Sequence, residues 1–382
     1  MAYTWSKYLI ILVGVVFLGV TVKNVLTVLS LWSIPQSFKI VNDSGDQGVF
    51  DPSIEYANED QGWMAYSSIS SGEDAFLPGV NINLATSTKG RSRWVFNQTV
   101  FNSKVETYVD FDGDESFERL GIWRYEMPSL VYTPEDTGRE WKIFAYRYFW
   151  EGSDDFSRTT GTIVYRETGD IASGQWSEEK WLFSANPYNP PKPYNELVLL
   201  HLNVLHPSLN DITSYADPAG FYKDGVLYMT LSAYTSPDYP DRVILIASKD
   251  HGQSWLYIND LVTQKDVQAL KGYNRFSGAQ LIEKDSVPYL LITFGDRLQN
   301  GLGSFVLGIK DLESGIMQYN DDGALSILNH FPLNEKVTSP LGGGSSDYHE
   351  NVKKGLLMSV MDEREKDKPF FIKPHGHEIL PE

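Results

Sequence analysis

Cysteine is absent from the 382-residue sequence. Its absence excludes a disulfide framework, a thiol nucleophile and a thiolate metal site. Basic residues are also scarce, because 32 lysines and arginines stand against 50 aspartates and glutamates and leave a formal charge of −18. Binding to nucleic acid needs a basic surface that neutralises phosphates, so this charge argues against nucleic acid as a partner.

Several catalytic patterns and most helical patterns are missing as well. The sequence has no glycine-rich phosphate loop, no nucleophile elbow and no His-Glu-x-x-His motif. After residue 47, helical periodicity is limited to residues 260–271, while apolar strand-like runs recur throughout. The sequence therefore predicts an all-β domain.

One long apolar segment occurs at residues 8–34, interrupted by Lys23 and Asn24. It is long enough for a membrane helix, which needs ~20 residues. Trp32 suits an interfacial anchor, and Lys23 can extend its amine to the headgroups. We predict a retained transmembrane anchor. The alternative is a signal peptide with a poor cleavage site at residues 28–30.

The charges that flank this segment predict its orientation. Lys7 and the amino terminus precede it, and a strongly acidic domain follows it. The positive-inside rule then places residues 1–7 in the cytoplasm and the large domain in the periplasm or outside the cell. Residues 35–47 are predicted to form a connector with a strand at residues 38–41.

A strand–turn–strand unit recurs five times in the rest of the chain. Its first strands carry, in order, Asp51, Glu126, Asp217, Gly278 and Ser346, at intervals of 61 to 91 residues. Such all-strand periods are typical of propeller blades. We therefore predict a five-bladed β-propeller over residues 48–382, with blades that start near residues 48, 120, 212, 275 and 343.

The segment Ser248 to Trp255 fits the pattern Ser-x-Asp-x-Gly-x-x-Trp. It resembles the Asp box of sialidase-like propellers, a hairpin turn in which the acid caps the backbone and Gly252 takes a positive φ. This resemblance implies a structural role in the fold and no part in catalysis.

With its five first strands, residues ~45–382 resemble the five-bladed propeller glycosidases of the arabinanase, xylosidase, invertase and levansucrase type. That resemblance implies three catalytic carboxyls on the first three blades, here Asp51, Glu126 and Asp217. One would be the base or nucleophile, one would tune a pKa, and one would be the general acid. The family order is Asp, Asp, Glu, whereas this chain has Asp, Glu, Asp. The alternative is that these acids line a solvated funnel or cap backbone amides.

A second acidic cluster lies between the first two blades. Carboxylates at Asp110, Asp112, Asp114 and Glu118 have spacing that can surround Ca²⁺, which prefers six to eight oxygen ligands. The segment resembles the calcium loops of integrin-type propellers. The alternative is a solvated acidic loop. His349, on the fifth blade, is a candidate funnel histidine, either as a metal ligand or as a hydrogen-bonded structural residue.

Two functions are compatible with these patterns. The first is a non-catalytic docking subunit of a membrane protein complex, for which a bioenergetic assembly is a candidate host. Its partners would be the membrane and other subunits, and it is favoured by the anchor and the altered acid order. The alternative is a cell-surface glycoside hydrolase or glycan-binding propeller that uses Asp51, Glu126 and Asp217. The two hypotheses differ in whether these carboxyls converge.

Overall fold

The computed structural model describes residues 40–43, 45, 47–71, 77–87, 93–112, 115–152, 161–185, 198–236, 240–270, 272–295, 301–332, 345–352, 355–361, 370–374 and 379–380. They belong to one compact unit, Phe38–Glu382. Within these ranges no helix has the length and apolar character needed to cross a membrane. The predicted anchor at residues 8–34 lies outside the described residues, as do residues 35–39 of the connector.

The described chain is almost entirely β-strand, as predicted. Its one α-helix is α1 (Gln264–Ala269), and two short 3₁₀ turns span Leu202–Val204 and Pro207–Leu209. The strands are β1 (Ile40–Val41), β2 (Gly48–Asn58), β3 (Gln61–Ser70), β4 (Gly79–Ser87), β5 (Trp94–Phe101), β6 (Lys104–Asp112), β7 (Glu115–Tyr132), β8 (Trp141–Trp150), β9 (Thr162–Thr168), β10 (Lys180–Ser184), β11 (Val198–His201), β12 (Ser214–Lys223), β13 (Val226–Tyr234), β14 (Arg242–Ser248), β15 (Leu256–Thr263), β16 (Arg275–Lys284), β17 (Val287–Gly295), β18 (Gly301–Asp311), β19 (Ile316–Met317), β20 (Ile327–Pro332), β21 (Ser346–Tyr348), β22 (Leu356–Met361) and β23 (Phe370–Pro374).

The strands form antiparallel meanders in chain order. The blades are β2–β5, β7–β10, β12–β15, β16–β18 with β20, and β21–β23. Their first strands contact one another in a closed ring, from β2 through β7, β12, β16 and β21 back to β2. The fold is an all-β propeller, and the described part of the chain contains five such meanders.

The hydrophobic core lies between the blades. One buried apolar cluster fills each of the five contacts between neighbouring meanders. Inner strands are therefore covered on both faces, which explains why β8 is buried from Trp141 to Phe149 without polar alternation. Continuous apolar runs of this kind are what the sequence shows in each second strand.

Neighbouring first strands are also joined by a repeated hydrogen bond. The N–H of Leu130 donates to Ser53 Oγ at 2.9 Å, and the N–H of Gly220 donates to Ser129 Oγ at 2.7 Å. In each case a serine of one blade satisfies a backbone amide of the next. Such bonds fix the height of one inner strand relative to its neighbour.

The joint between the last blade and the first uses an acid for the same purpose. Here the N–H of Ile54 donates to the carboxylate of Asp347. Parallel pairing of β2 with β23, at Gly48 and Phe370, closes the same seam. Gly48 has a φ of +127°, and an added Cβ would lie 2.2 Å from the Phe370 carbonyl oxygen, so only glycine fits this approach.

The turn between β14 and β15 contains the segment that resembles an Asp box. Asp250 accepts the N–H of Ser254 at 2.8 Å, and Gly252, with a φ of +96°, donates its N–H to Ser248 Oγ at 2.7 Å. The Trp255 ring lies 5.3 Å from that of Phe183 in the neighbouring blade. The turn therefore stabilises a hairpin and a contact between two blades.

Candidate active site

A bulge interrupts each of the first four inner strands at the same level of the ring. The residues with positive φ at these bulges are Asp51 (50°), Met127 (54°), Asp217 (55°) and Gly278 (53°). Residues other than glycine rarely adopt this conformation, and bulges redirect side chains near functional sites. Non-glycine residues at three successive bulges motivate a functional interpretation.

The strand register places Glu126 one residue away from the position predicted for it. Glu126 pairs with Tyr146 immediately before the bulge, as Phe50 does with its own partner in β2. Met127, and not Glu126, is therefore equivalent to Asp51. In the sequence, the acid is the most conspicuous residue of each first strand, so Glu126 aligns with Asp51. The strand pairing shows that this alignment is shifted by one residue.

The carboxyl of Asp51 is held by residues of the fifth blade. Asp51 is only 2% exposed. Its Oδ1 accepts hydrogen bonds from Ser345 Oγ at 2.9 Å, from the N–H of Ser345 at 3.3 Å and from Ser359 Oγ at 3.3 Å. Its own N–H donates to Ser359 Oγ at 2.6 Å. Sequence reasoning did not identify either serine, because each lies about 300 residues from Asp51 and belongs to no motif.

Electrostatics link the three predicted acids. Burial raises the pKa of Asp51 to about 7, and the negative charges of Glu126 and Asp217 add to this effect, while the hydrogen bonds from Ser345 oppose it. In the fold, Asp51 and Asp217 lie at the bulges of the first and third inner strands, and Glu126 lies immediately before the bulge of the second. A carboxyl with a pKa near 7 can gain or lose a proton under ordinary conditions.

The other two acids are half-buried, and each has a hydroxyl donor of its own. The Tyr148 hydroxyl donates to Glu126. Burial, followed by the charge of Glu126, raises the pKa of Tyr148 well above its usual value, so this hydroxyl remains a donor. Ser232 Oγ donates to Asp217 Oδ2 at 2.7 Å. Each of the three carboxyls thus accepts a hydrogen bond from a side-chain hydroxyl.

A second acid group lies further along the inner strands, on β21 and β2. Asp347 is 2% exposed, and its two oxygens accept the N–H groups of Ile54 and Tyr348. Burial raises its pKa to about 7. Each oxygen thus accepts a backbone N–H, and the Gln280 side chain also donates to this carboxyl, which makes Asp347 a structural acid.

Glu55 lies beside this group, with its Oε1 4.0 Å from Nε2 of His349. Burial raises the pKa of Glu55 to about 8, and the charge of Asp347 contributes. The His349 ring packs on Tyr56, with ring centroids 4.4 Å apart. Among the described residues no group of three or more acids and histidines has the geometry of a metal site.

The predicted calcium segment forms the tip of a hairpin. Asp110 pairs with Phe117, and Asp112 pairs with Glu115, so that only two residues connect β6 to β7. The side chains of Asp110, Asp112 and Asp114 lie outside the described residues, whereas Glu118 pairs with Val109 along the hairpin. The calcium site stays a prediction.

Comparisons with known proteins identify the fold. No protein-family model and no curated protein sequence matches the chain. A family 32 β-fructofuranosidase of Bombyx mori is similar in structure, at 12% identity and a TM-score of 0.50, over 89% of this chain and 62% of that enzyme. The chain thus spans less than two thirds of that enzyme's length.

Two further solved structures are similar. A family 43 β-1,3-galactosidase, solved with galactodeoxynojirimycin, has 11% identity and a TM-score of 0.51, over 88% of this chain and 93% of its own. A Bacillus subtilis arabinanase has 14% identity and a TM-score of 0.40, over 71% of this chain and 76% of its own. The fructofuranosidase and the galactosidase show that the chain resembles propeller glycosidases, as predicted. At these identities the likeness establishes the fold alone.

Proposed function

We propose that the protein is a glycoside-cleaving propeller whose catalytic groups are Asp51, Glu126 and Asp217. The observation that carries this proposal is the placement of these acids at or next to the bulges of three successive inner strands, where Asp51 and Asp217 have a positive φ. Asp347 accepts two backbone N–H groups, whereas each of these three acids accepts a hydrogen bond from a side-chain hydroxyl.

The chemistry needs one proton donor and one proton acceptor on either side of a sugar ring. Asp51 is the acceptor, which is the role that the resemblance implies for the carboxyl of the first blade. The charge of Glu126 contributes to the raised pKa of Asp51, and this is the tuning role that the resemblance implies. Asp217 lies on the third blade, where the resemblance implies the proton donor.

The proton balance of the reaction follows from these roles. Asp217 gives its proton to the leaving oxygen as the bond from that oxygen to the anomeric carbon breaks. Asp51 takes a proton from water as the water oxygen bonds to the same carbon. A proton then returns from Asp51 to Asp217 through solvent, which restores the starting state.

The alternative predicted from the sequence, a glycoside hydrolase, has more support than a docking subunit. The similar solved structures are glycoside hydrolases, and the three acids lie at or next to the bulges of successive inner strands. The docking-subunit hypothesis rested on the anchor at residues 8–34, outside the described residues, and on the altered acid order. The aspartate at position 217 shortens the donor by one methylene relative to glutamate, and the bulge at its positive φ redirects its side chain.

The test is hydrolysis by the full chain, purified in a mild detergent. Its substrates are sucrose, 4-nitrophenyl β-D-galactopyranoside and 4-nitrophenyl α-L-arabinofuranoside, whose sugars correspond to the three similar enzymes. We expect turnover of at least one substrate. Asp51→Asn and Asp217→Asn should each lower kcat by about 10²–10⁴-fold, the usual contribution of general acid–base catalysis.

The matched control is Asp224→Asn. Asp224 also has a φ of 50°, but it is exposed in the turn between β12 and β13. It should retain full activity. Turnover that survives both Asp51→Asn and Asp217→Asn would contradict the proposal, and so would binding of these sugars without any hydrolysis.

A further inference from the structure

The two oxygens of the Asp51 carboxyl have different surroundings. All three hydrogen bonds to this carboxyl, two from Ser345 and one from Ser359, arrive at Oδ1. Within the described part of the chain, no hydrogen bond reaches Oδ2. The described hydrogen bonds therefore fix the rotation of the carboxyl through one oxygen and leave the other without a donor.

Both serines come from the fifth blade, across the seam that closes the ring. Ser345 immediately precedes β21, and Ser359 lies in β22. Ser345 also accepts the N–H of Ser359 through its carbonyl oxygen at 3.1 Å, so the two donors are fixed relative to each other. Their convergence depends on closure of the propeller.

The other serines at blade joints behave differently. In the described part of the chain, the side chains of Ser53 and Ser129 accept backbone N–H groups of the next blade. Ser359 likewise accepts a backbone N–H of the next blade, that of Asp51. Ser345 and Ser359 differ from Ser53 and Ser129 because both also donate to the Asp51 carboxyl. Donation to this acid distinguishes serines that orient a carboxyl from serines that only join the blades.

We propose that Ser345 and Ser359 are positioning residues, which hold Oδ1 of Asp51 so that Oδ2 faces the bond to be cleaved. This inference rests on the proposed function and extends it to the fifth blade. Catalytic carboxyls must be held within a fraction of an ångström of their working geometry, and neighbours that lock their rotation provide this.

The donors also affect the charge of Asp51. Hydrogen bonds to a carboxylate stabilise its ionised form, and those from Ser345 lower a pKa that burial has raised to about 7. Loss of a donor should therefore raise the pKa further. Asp51 works as a base, so the acid limb of the pH–rate profile should move to higher pH.

The first experiment measures kinetics of the full chain on whichever of the three substrates it cleaves. Ser345→Ala should lower kcat by about 10-fold with little change in KM, and should move the acid limb up by about one pH unit. Ser345→Thr keeps a hydroxyl, so its kcat and the position of its acid limb should be close to those of the unmodified chain. Ser359→Ala is the second variant, because it also removes the acceptor of the Asp51 N–H.

Ser129→Ala is the matched control. It removes a serine at a blade joint and leaves Asp51 untouched, so it should change stability without moving the pH profile. If Ser345→Ala and Ser129→Ala have the same profile as the unmodified chain, the inference is overturned while the proposed function stands.

The second experiment needs no turnover. Infrared difference spectra between the full chain and its Asp51→Asn variant report the carbonyl stretch of protonated Asp51, and titration of that band gives its pKa. Ser345→Ala should raise this pKa by about one unit. A raised pKa without hydrolysis of any substrate would show only that Ser345 holds the Asp51 carboxyl, and it would contradict the proposed function and with it the catalytic role of this positioning. An unchanged pKa would overturn the inference.

Discussion

Asp51 and Asp347 are two buried aspartates near one seam, and they differ in what holds them. Both are 2% exposed, and burial raises the pKa of each to about 7. Asp347 gives one oxygen to each of two backbone N–H groups. In Asp51, a single oxygen accepts all three hydrogen bonds. The negative charges of Glu126 and Asp217, on two other blades, raise the pKa of Asp51 further. Burial alone therefore does not distinguish a structural acid from a candidate catalytic acid. The distinguishing feature is whether the second carboxyl oxygen also accepts a hydrogen bond.

The largest effect expected from this comparison is the loss of stability in Asp347→Ala. This change leaves the N–H groups of Ile54 and Tyr348 buried without their acceptors. We expect the free energy of unfolding to fall by about 2–5 kcal/mol. Asp51→Asn keeps an oxygen for its three donors and should change stability far less while it abolishes activity. Chemical denaturation of both variants measures the difference, and equal losses would contradict the distinction.

A pH series provides the next test. The pKa values of Asp51 and Asp347 are about 7 in the folded chain, compared with 3.8 as their ordinary value. Between these limits the folded state binds more protons than the unfolded state, so stability falls as pH rises. The stabilisation is fully present below about pH 4 and is lost progressively up to about pH 7. Glu55 adds to this trend, although a quarter of its side chain is exposed.

The Tm of the full chain should therefore be higher at pH 5 than at pH 8, and thermal unfolding by circular dichroism at fixed ionic strength measures it. Asp51→Asn removes one of the two titrating aspartates and should reduce the slope without abolishing it. A Tm that increases from pH 5 to pH 8 would show that other groups control stability.

The sequence predicted the propeller because the repeat is a local property of each blade. A first strand, a turn and an apolar second strand recur with enough regularity to be counted. The position of Glu126 was predicted one residue away from where the strand pairing places it. A bulge is defined by how a strand pairs with its neighbour, and that pairing cannot be read from the sequence of one strand. Ser345 and Ser359 were beyond sequence reasoning because closure of the ring, rather than any motif, brings them to Asp51.

The smallest expected effect concerns the serines that join the blades. Ser129→Ala removes the acceptor of one partly buried N–H, that of Gly220, and should cost about 1 kcal/mol with no effect on activity. Asp347→Ala removes the acceptors of two N–H groups, those of Ile54 and Tyr348, because each oxygen of the carboxylate accepts one of them. This change should therefore lower the free energy of unfolding more than Ser129→Ala does. If the two changes cost the same, Asp347 is no more than another joint residue. If Asp347→Ala costs more, the ring depends most on its last joint, which also positions the fifth-blade serines beside Asp51.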